Sequence, residues 1–384
     1  MHYPIYLDYN ATTPVDQRVL DAMLPYLTTH FGNAASRTHV YGLKAEDAVD
    51  QARQQVADLL GATPSEIVFT SGATEAINLA LKGVFEANQH RGHHIVTVQT
   101  EHKAVLDVCA HLEQLGAEVT YLPTDEYGLI TPAQLAAALT PQTILVSVMW
   151  ANNETGVIQP IADLARLTRQ HGALFHTDAT QALGKLPIDL SAVDVDLLNL
   201  SGHKLYAPKG VGALYVRRKT PLVAQQDGGR HERGRRSGTL NVPGIVALGA
   251  ACERAGTALA ADAQETKALA SLRDRLETGI RRNVPDVRLN GHPQHRLPNT
   301  TNLAFPGVDG EILLMSLSQI AVSNGSACNA ASTDPSHVLT AMGLPADLAY
   351  ASVRFSVGRF TTEADVDRAI QHVAEVVEGL RVPG

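Results

Sequence analysis

The chain has 384 residues, 18% of them charged and 45% apolar, which suits a globular protein with room for a large core and a smaller one. Its formal charge of −8 argues against naked nucleic acid as the main partner, so no direct nucleic-acid binding is expected, and no apolar run is long enough to span a bilayer. Three scattered cysteines, Cys109, Cys252 and Cys328, are too few for a disulfide framework or a Cys-only zinc site, so no metal is expected and a reducing cytoplasm is the expected setting.

At the start, Met1 to Pro14 holds Asp8, Tyr9 and Asn10, which does not read as a secretory signal. Apolar runs then alternate with helical patterns. The strand-like runs are Glu66–Thr70, His94–Gln99, Glu118–Leu122, Thr143–Met149, Ala173–His176, Leu197–Leu200 and Gly212–Val216. Several lack polar alternation, as strands buried on both faces do. Helical patterns cover Ala45–Leu60, Thr74–Asn88, Lys103–Leu115 and Ile161–His171, the last stopped by Gly172. This alternation predicts an α/β fold with a mainly parallel sheet covered on both sides. Near residue 257 the pattern changes. Ala258–Val284 reads as one long helix, followed by strands at Thr301–Phe305 and Val353–Ser356 and helices at Gly310–Gln319 and Thr362–Arg381, a smaller α+β domain.

Ligands of an open parallel sheet sit at the carboxyl ends of its strands, so the residues after each strand carry the chemistry. Ser71 to Glu75 is a small-residue turn opening a helix, fit to bring backbone N–H groups to a phosphate, or simply a helix capped by Thr74. His102 follows the next strand. The cluster His90, His93 and His94 has no metal-ligand spacing and marks a solvated turn. Asp178 and Lys204 follow buried strands, where each is costly unless paired. A desolvated lysine can form a Schiff base, and an aspartate can pair with a protonated ring nitrogen. A phosphate turn, a histidine, an aspartate and a lysine on strand ends together describe a pyridoxal phosphate site. Asn152 and Asn153 offer amides at the same rim. The Gly/Arg-rich loop from Gly228 to Thr239 is read as reaching a phosphate rather than nucleic acid. Cys109 and Cys252 lie in small-residue helical patterns and read as core. Cys328 lies in a polar stretch without apolar period and reads as an incidental thiol or a nucleophile. Arg354 in an apolar strand calls for a carboxylate, from a neighbour or a substrate.

The chain resembles the cysteine desulfurases of the iron–sulfur-cluster and nitrogen-fixation type, in the class V aminotransferase superfamily. The resemblance runs from Tyr6-Leu7-Asp8 to Arg359-Phe360-Thr361-Thr362. Its motifs are Phe69-Thr70-Ser71-Gly72-Ala73-Thr74-Glu75, Thr100-Glu101-His102-Lys103-Ala104-Val105-Leu106, Ser201-Gly202-His203-Lys204, Arg236-Ser237-Gly238-Thr239 and Gly325-Ser326-Ala327-Cys328. The long Cys loop is similar to that of the first of the family's two groups. The resemblance implies the pyridoxal-phosphate-dependent transferase fold of aminotransferase fold type I. It also implies a large cofactor-binding domain over 14–259 and a small domain from 1–13 with 260–384 that carries the catalytic Cys loop.

The implied roles are as follows. Lys204 holds pyridoxal 5'-phosphate and moves the substrate α-proton. Asp178 pairs with the ring nitrogen, His102 stacks on the ring, and Gln181 meets the ring oxygen. Ala73, Thr74, Ser201 and His203 bind the phosphate, and Thr239 reaches the phosphate of the other subunit of a homodimer. Asn153 and Arg354 hold the carboxylate of L-cysteine, and Cys328 takes the sulfur as a persulfide for a protein acceptor, with alanine leaving. Asn324, Asn329 and Ala34 depart from the residues usual in the family. Many relatives continue past the last helix into a scaffold-binding tail, which leaves the acceptor open. Rival readings are another pyridoxal phosphate enzyme, such as an aminotransferase, and a catalytically idle sulfur carrier. Cys328 argues against the first, and Lys204, Asp178 and His102 argue against the second.

Overall fold

Strands with no polar alternation need cover on both faces, and the apolar runs of this chain receive it. A computed structural model describes residues 3–260, 263–325 and 335–381. The chain begins with β1 (Ile5–Tyr6), α1 (Gln17–Thr28) and α2 (Val40–Leu60). Alternation follows through β2 (Ile67–Thr70), α3 (Ala73–Asn88), β3 (His94–Val98), α4 (Lys103–Gln114) and β4 (Glu118–Leu122). Next come α5 (Pro132–Ala138), β5 (Thr143–Ser147), α6 (Ile161–His171), β6 (Leu174–Asp178), β7 (Leu197–Ser201) and β8 (Gly212–Val216). After α7 (Val242–Ala260) and α8 (Gln264–Asn283) come β9 (Arg288–Asn290), β10 (Thr300–Ala304), α9 (Gly310–Ser316) and β11 (Ile320–Ala321). The last elements are α10 (His337–Ala341), α11 (Ala346–Tyr350), β12 (Ser352–Ser356) and α12 (Glu363–Arg381).

Among the described residues the main sheet has seven strands, in the order β2-β8-β7-β6-β5-β3-β4. Every pairing is parallel except those of β8, which runs antiparallel to β2 and β7. The expected mainly parallel sheet is therefore present, with one strand reversed. Helices α2 and α7 cover one face through Val56, Leu60 and Leu248, and α3 and α4 cover the other through Ile77, Leu81 and Leu112. Cys109 and Cys252 lie in these two layers, as expected of core cysteines. The carboxyl ends of the parallel strands share one edge of the sheet.

A further apolar cluster unites Leu7 with Leu276 of α8, Phe355 of β12 and Val373 of α12. β12, β10 and β9 form an antiparallel sheet there, and β1 pairs parallel with β11. The expected single helix over Ala258–Val284 is corrected to two, α7 and α8, with Ala263 left-handed at φ 51°. No Gly or Pro marks the break. It arises because α7 packs into the core under the main sheet and α8 into the cluster around Leu7, so tertiary packing overrides a locally continuous pattern. Helix α9 also ends earlier than expected, releasing the chain into β11. Among the described residues no helix is long and apolar enough to cross a membrane.

Candidate active site

The carboxyl ends of β2, β3, β5, β6 and β7 open onto a cavity of about 630 Å³. It is lined by Ala73, Thr74, His102, Asn153, Asp178, Gln181, Ser201, His203, Lys204 and Arg354. Ten residues picked from the sequence thus meet in one place. At its β2 end, α3 starts at Gly72, which makes no side-chain cap, so the capping role considered for Thr74 is not what is found. The first N–H groups of a helix lack intrahelical partners and favour an anion. The turn can lie flat because its neighbour is Gly212, where a Cβ would fall 2.7 Å from Gly72 Cα.

Lys204 follows β7 in a single 3-10 turn, and its Nζ donates to the carbonyls of Asn10 and, at 2.7 Å, Ala11. His203 shares a 3.1 Å hydrogen bond with Thr12, and burial together with Lys204 and Lys209 lowers its pKa to about 4. Asp178 ends β6. Its Oδ1 accepts from Thr180 N at 2.9 Å and from Asn199 Nδ2 at 2.8 Å, which fixes the carboxyl plane at the cavity wall. Asn199 is fixed in turn by His176, whose Nε2 donates to Asn199 Oδ1 at 3.0 Å while Nδ1 takes the Ser147 hydroxyl at 2.8 Å. Burial lowers the His176 pKa to about 4, so the ring is neutral. Gln181 turns Nε2 to Asn10 O at 2.9 Å and receives Lys185 Nζ on Oε1 at 3.3 Å. Burial and then the Lys204 charge push the Lys185 amine down to about 7.

On the opposite wall, Arg354 of β12 meets Asp8 Oδ1 at 2.6 Å and Asn153 O at 3.0 Å. The neighbour's carboxylate that the sequence called for is thus Asp8. Arg354 Nε and Asn153 Oδ1 are buried and have no hydrogen-bond partner among the described residues. Unpartnered buried polar atoms on two residues that line one cavity are what a bound polar group would satisfy. Asn152 is not available to a ligand, because its Oδ1 accepts from Glu154 N and Thr155 N and so shapes the turn after β5. Glu154 is buried and accepts from Ser336 Oγ at 2.5 Å. Burial raises its pKa, opposed by Ser336 and by the charges of His337, Arg354 and His102.

Other expectations are placed elsewhere. Thr239 is exposed and does not line the cavity of its own chain. Cys328 lies outside the described residues. His94, expected in a solvated turn, is buried in β3 between Thr143 at 2.7 Å and Thr120 at 2.9 Å, because these two hydroxyls supply the partners a core imidazole needs. In the Gly/Arg loop, Arg236 pairs with Glu75 at 2.6 Å and Arg233 with the Ile67 carbonyl, so these two serve the chain's own α3 and β2. Burial raises the thiol pKa of Cys109 and of Cys252 to about 12, which removes both as nucleophiles. Asn10, Ala11, Thr12, His176 and Asn199 were not singled out from the sequence. The polar Asn199 and His176 inside apolar strands were the available signal for two of them.

Residues 5–369 match the family Aminotransferase class-V. The cysteine desulfurase IscS of Anaeromyxobacter dehalogenans (strain 2CP-C) is 55% identical over 383 residues, covering 99% of this chain and 94% of the relative. A solved NifS-like protein superposes with a TM-score of 0.91 at 38% identity, over 98% of this chain and all of the other. A structure described as SspA in complex with cysteine superposes with a TM-score of 0.83 at 40% identity, over 93% of this chain and 100% of the other. With that likeness over almost the whole length, and the lysine, aspartate and histidine of the motifs in one cavity, the chain belongs to the class V aminotransferase family, among its cysteine desulfurases.

Proposed function

We propose that the cavity binds pyridoxal 5'-phosphate and L-cysteine, and that the enzyme releases L-alanine and leaves a persulfide on Cys328. The carrying observation is that Lys204, Asp178 and His102 line the same cavity as the uncapped start of α3. The donor set suits the cofactor: amides at Ala73 and Thr74 with Ser201 and His203 for the phosphate, Asp178 for the ring nitrogen, Gln181 for the ring oxygen, and His102 for the ring face. The orphaned Arg354 Nε and Asn153 Oδ1 support a ligand at the opposite wall. When bound, pyridoxal phosphate supplies an electron sink for the substrate α-carbon.

The chain's own residues do the rest. Arg354 keeps one edge on Asp8 and turns its remaining N–H toward the substrate carboxylate, with Asn153 beside it. Lys204 Nζ moves the proton at the substrate α-carbon. Asn10 and Ala11 carbonyls hold that amine while it is not bonded to the cofactor. The Cys328 thiolate forms an S–S bond to the substrate sulfur as the carbon–sulfur bond breaks.

The division into a large unit over 14–259 and a small one from 1–13 with 260–384 is part of the same reading, supported by the separate cluster around Leu7 and Phe355. We read the enzyme as a cytoplasmic homodimer in which Thr239 completes the phosphate site of the second copy. Its exposure, and the exposed Leu27, Phe31, Val40 and Tyr41 of the α1–α2 region, support pairing. The sulfur then goes to a protein acceptor serving iron–sulfur cluster assembly, transfer-RNA thiolation or DNA backbone sulfur modification.

The test is alanine release. Purified protein with cofactor bound is yellow, and cysteine yields alanine. Cys328→Ala stays yellow and yields none. A yellow wild type that makes no alanine from cysteine overturns the substrate. Incubation of the persulfidated enzyme with each candidate acceptor identifies the destination, and no transfer to a scaffold protein removes the iron–sulfur branch.

A further inference from the structure

The described residues on either side of the segment that carries Cys328 are Gly325 and Pro335. The outgoing end is tied to Arg354, which lines the cavity, and the returning end to Glu154 and Glu101, the chain neighbours of the lining residues Asn153 and His102. On the way out, Arg354 N donates to Ser323 O at 2.7 Å, and Gly325 N donates to Ser323 Oγ at 2.9 Å. On the way back, Ser336 Oγ donates to Glu154 Oε2 at 2.5 Å, and His337 Nε2 donates at 2.9 Å to the carbonyl of Glu101, next to His102. Ser336 also caps α10 by accepting from Leu339 N at 3.2 Å.

One group bonds the returning end and crowds the outgoing one. A Cβ at Gly325 would stand 2.6 Å from Glu154 Oε2, the same oxygen that holds Ser336. Gly325 is left-handed at φ 93°, so glycine answers both the backbone and the close approach. Glu154 itself is only 2% exposed and is held from behind, its N–H on Asn152 Oδ1 and its carbonyl on Asn302 Nδ2. A buried carboxyl group is costly, and plain packing would be served better by an apolar side chain. What a carboxyl offers here is an acceptor for a hydroxyl, placed directly after Asn153, which lines the cavity.

We propose that Glu154 is a positioning residue, just behind the cavity wall, that clasps the Cys328 segment by bonding Ser336 at its returning end and packing against Gly325 at its outgoing end, and so sets the reach of the thiol to the substrate sulfur. The proposal rests on the reading of Cys328 as the sulfur acceptor. The physics is that of a tethered reactant. Fixing the ends of a short chain at a set separation raises the effective concentration of a group on it, and a small displacement is costly to a bond-forming step.

The test uses the enzyme with its cofactor, Glu154→Ala, Ser336→Ala and Glu154→Gln, the last keeping an acceptor of the same size. Two quantities are followed in a single turnover without reductant. One is the cysteine concentration that half-saturates the visible spectral change. The other is the rate of persulfide formation on Cys328, read by mass spectrometry. The alanine variants keep half-saturation within about twofold but slow persulfide formation by about 10- to 100-fold, and Glu154→Gln recovers most of the rate. In cofactor-free protein, hydrogen exchange of residues 337–341 speeds up about tenfold in Glu154→Ala. Wild-type persulfide rates in both alanine variants overturn the proposal, and so does an equal fall in cysteine binding and sulfur transfer. If the wild type forms no persulfide on Cys328, it is the reading of the reaction that falls; the clasp then stands or falls on the exchange rates alone.

Discussion

Asp178 and Lys204 show why some site residues can be found from sequence. A charge at the end of an apolar strand has no ordinary place to go, so each announces a partner. Asn10 and Ala11 give no such signal, because they hold Lys204 through backbone carbonyls that every residue has. Glu154 is hidden for another reason: its partner, Ser336, is 182 positions away. His176 lies between these cases, a polar residue inside a strand whose purpose appears only once Ser147 and Asn199 are beside it. It also predicts a pH response. Folding lowers its pKa from 6.5 to about 4, as it does for His203, so the unfolded chain binds more protons in that interval. Stability is then full above about pH 6.5 and falls as the pH drops toward 4, by at most about 1.4 kcal/mol per pH unit for His176 and by less for the partly solvent-screened His203. Thermal unfolding from pH 7 to 4.5 checks it, and His176→Gln reduces the slope even though it lowers the melting temperature at pH 7.

At the level of elements, strands buried on both faces were legible because their apolar runs are continuous, and helices were legible where a stop residue stands, as at Gly172 after α6. The reversal of β8 left no trace in its composition, since an antiparallel strand covered on both faces is as apolar as a parallel one. The α7–α8 break was illegible because Ala263 adopts a conformation that alanine disfavours. That strain is testable. Ala263→Gly removes it and raises the unfolding free energy by about 0.5–1 kcal/mol, a net of the relieved strain and the added freedom of the unfolded chain. Gly61→Ala does the reverse at the end of α2. There φ is 64° and the new methyl would collide with the Asp189 carboxylate, so a loss of about 1–2 kcal/mol is expected in denaturant titration.

For the whole molecule, the sequence indicated one cavity because its motifs follow successive strands, and the sheet order brings those strand ends together. Among the described candidate site residues Thr239 is the exception, lying outside its own chain's cavity. If it completes the site of a second copy, Lys204→Ala and Thr239→Ala complement each other. Either variant alone is weak, but after subunit exchange the mixed dimers hold one site with both residues intact. Alanine release then recovers toward a quarter of the wild-type level, from about half the dimers being mixed with one good site each. No recovery, with exchange confirmed by native mass spectrometry, places Thr239 outside the site.

The first strand has a consequence for how the enzyme is made. Ile5 and Leu7 bond to Gln319 and Ala321, and Ser356 bonds back to Leu7, so the segment bearing Asn10 and Ala11 is seated by residues translated late. The amine of Lys204 therefore has no settled cradle while the chain is still on the ribosome, even after the main sheet has emerged. Cofactor capture becomes a post-synthetic event, and nascent chains arrested before β12 should emerge colourless, however well their central sheet has formed.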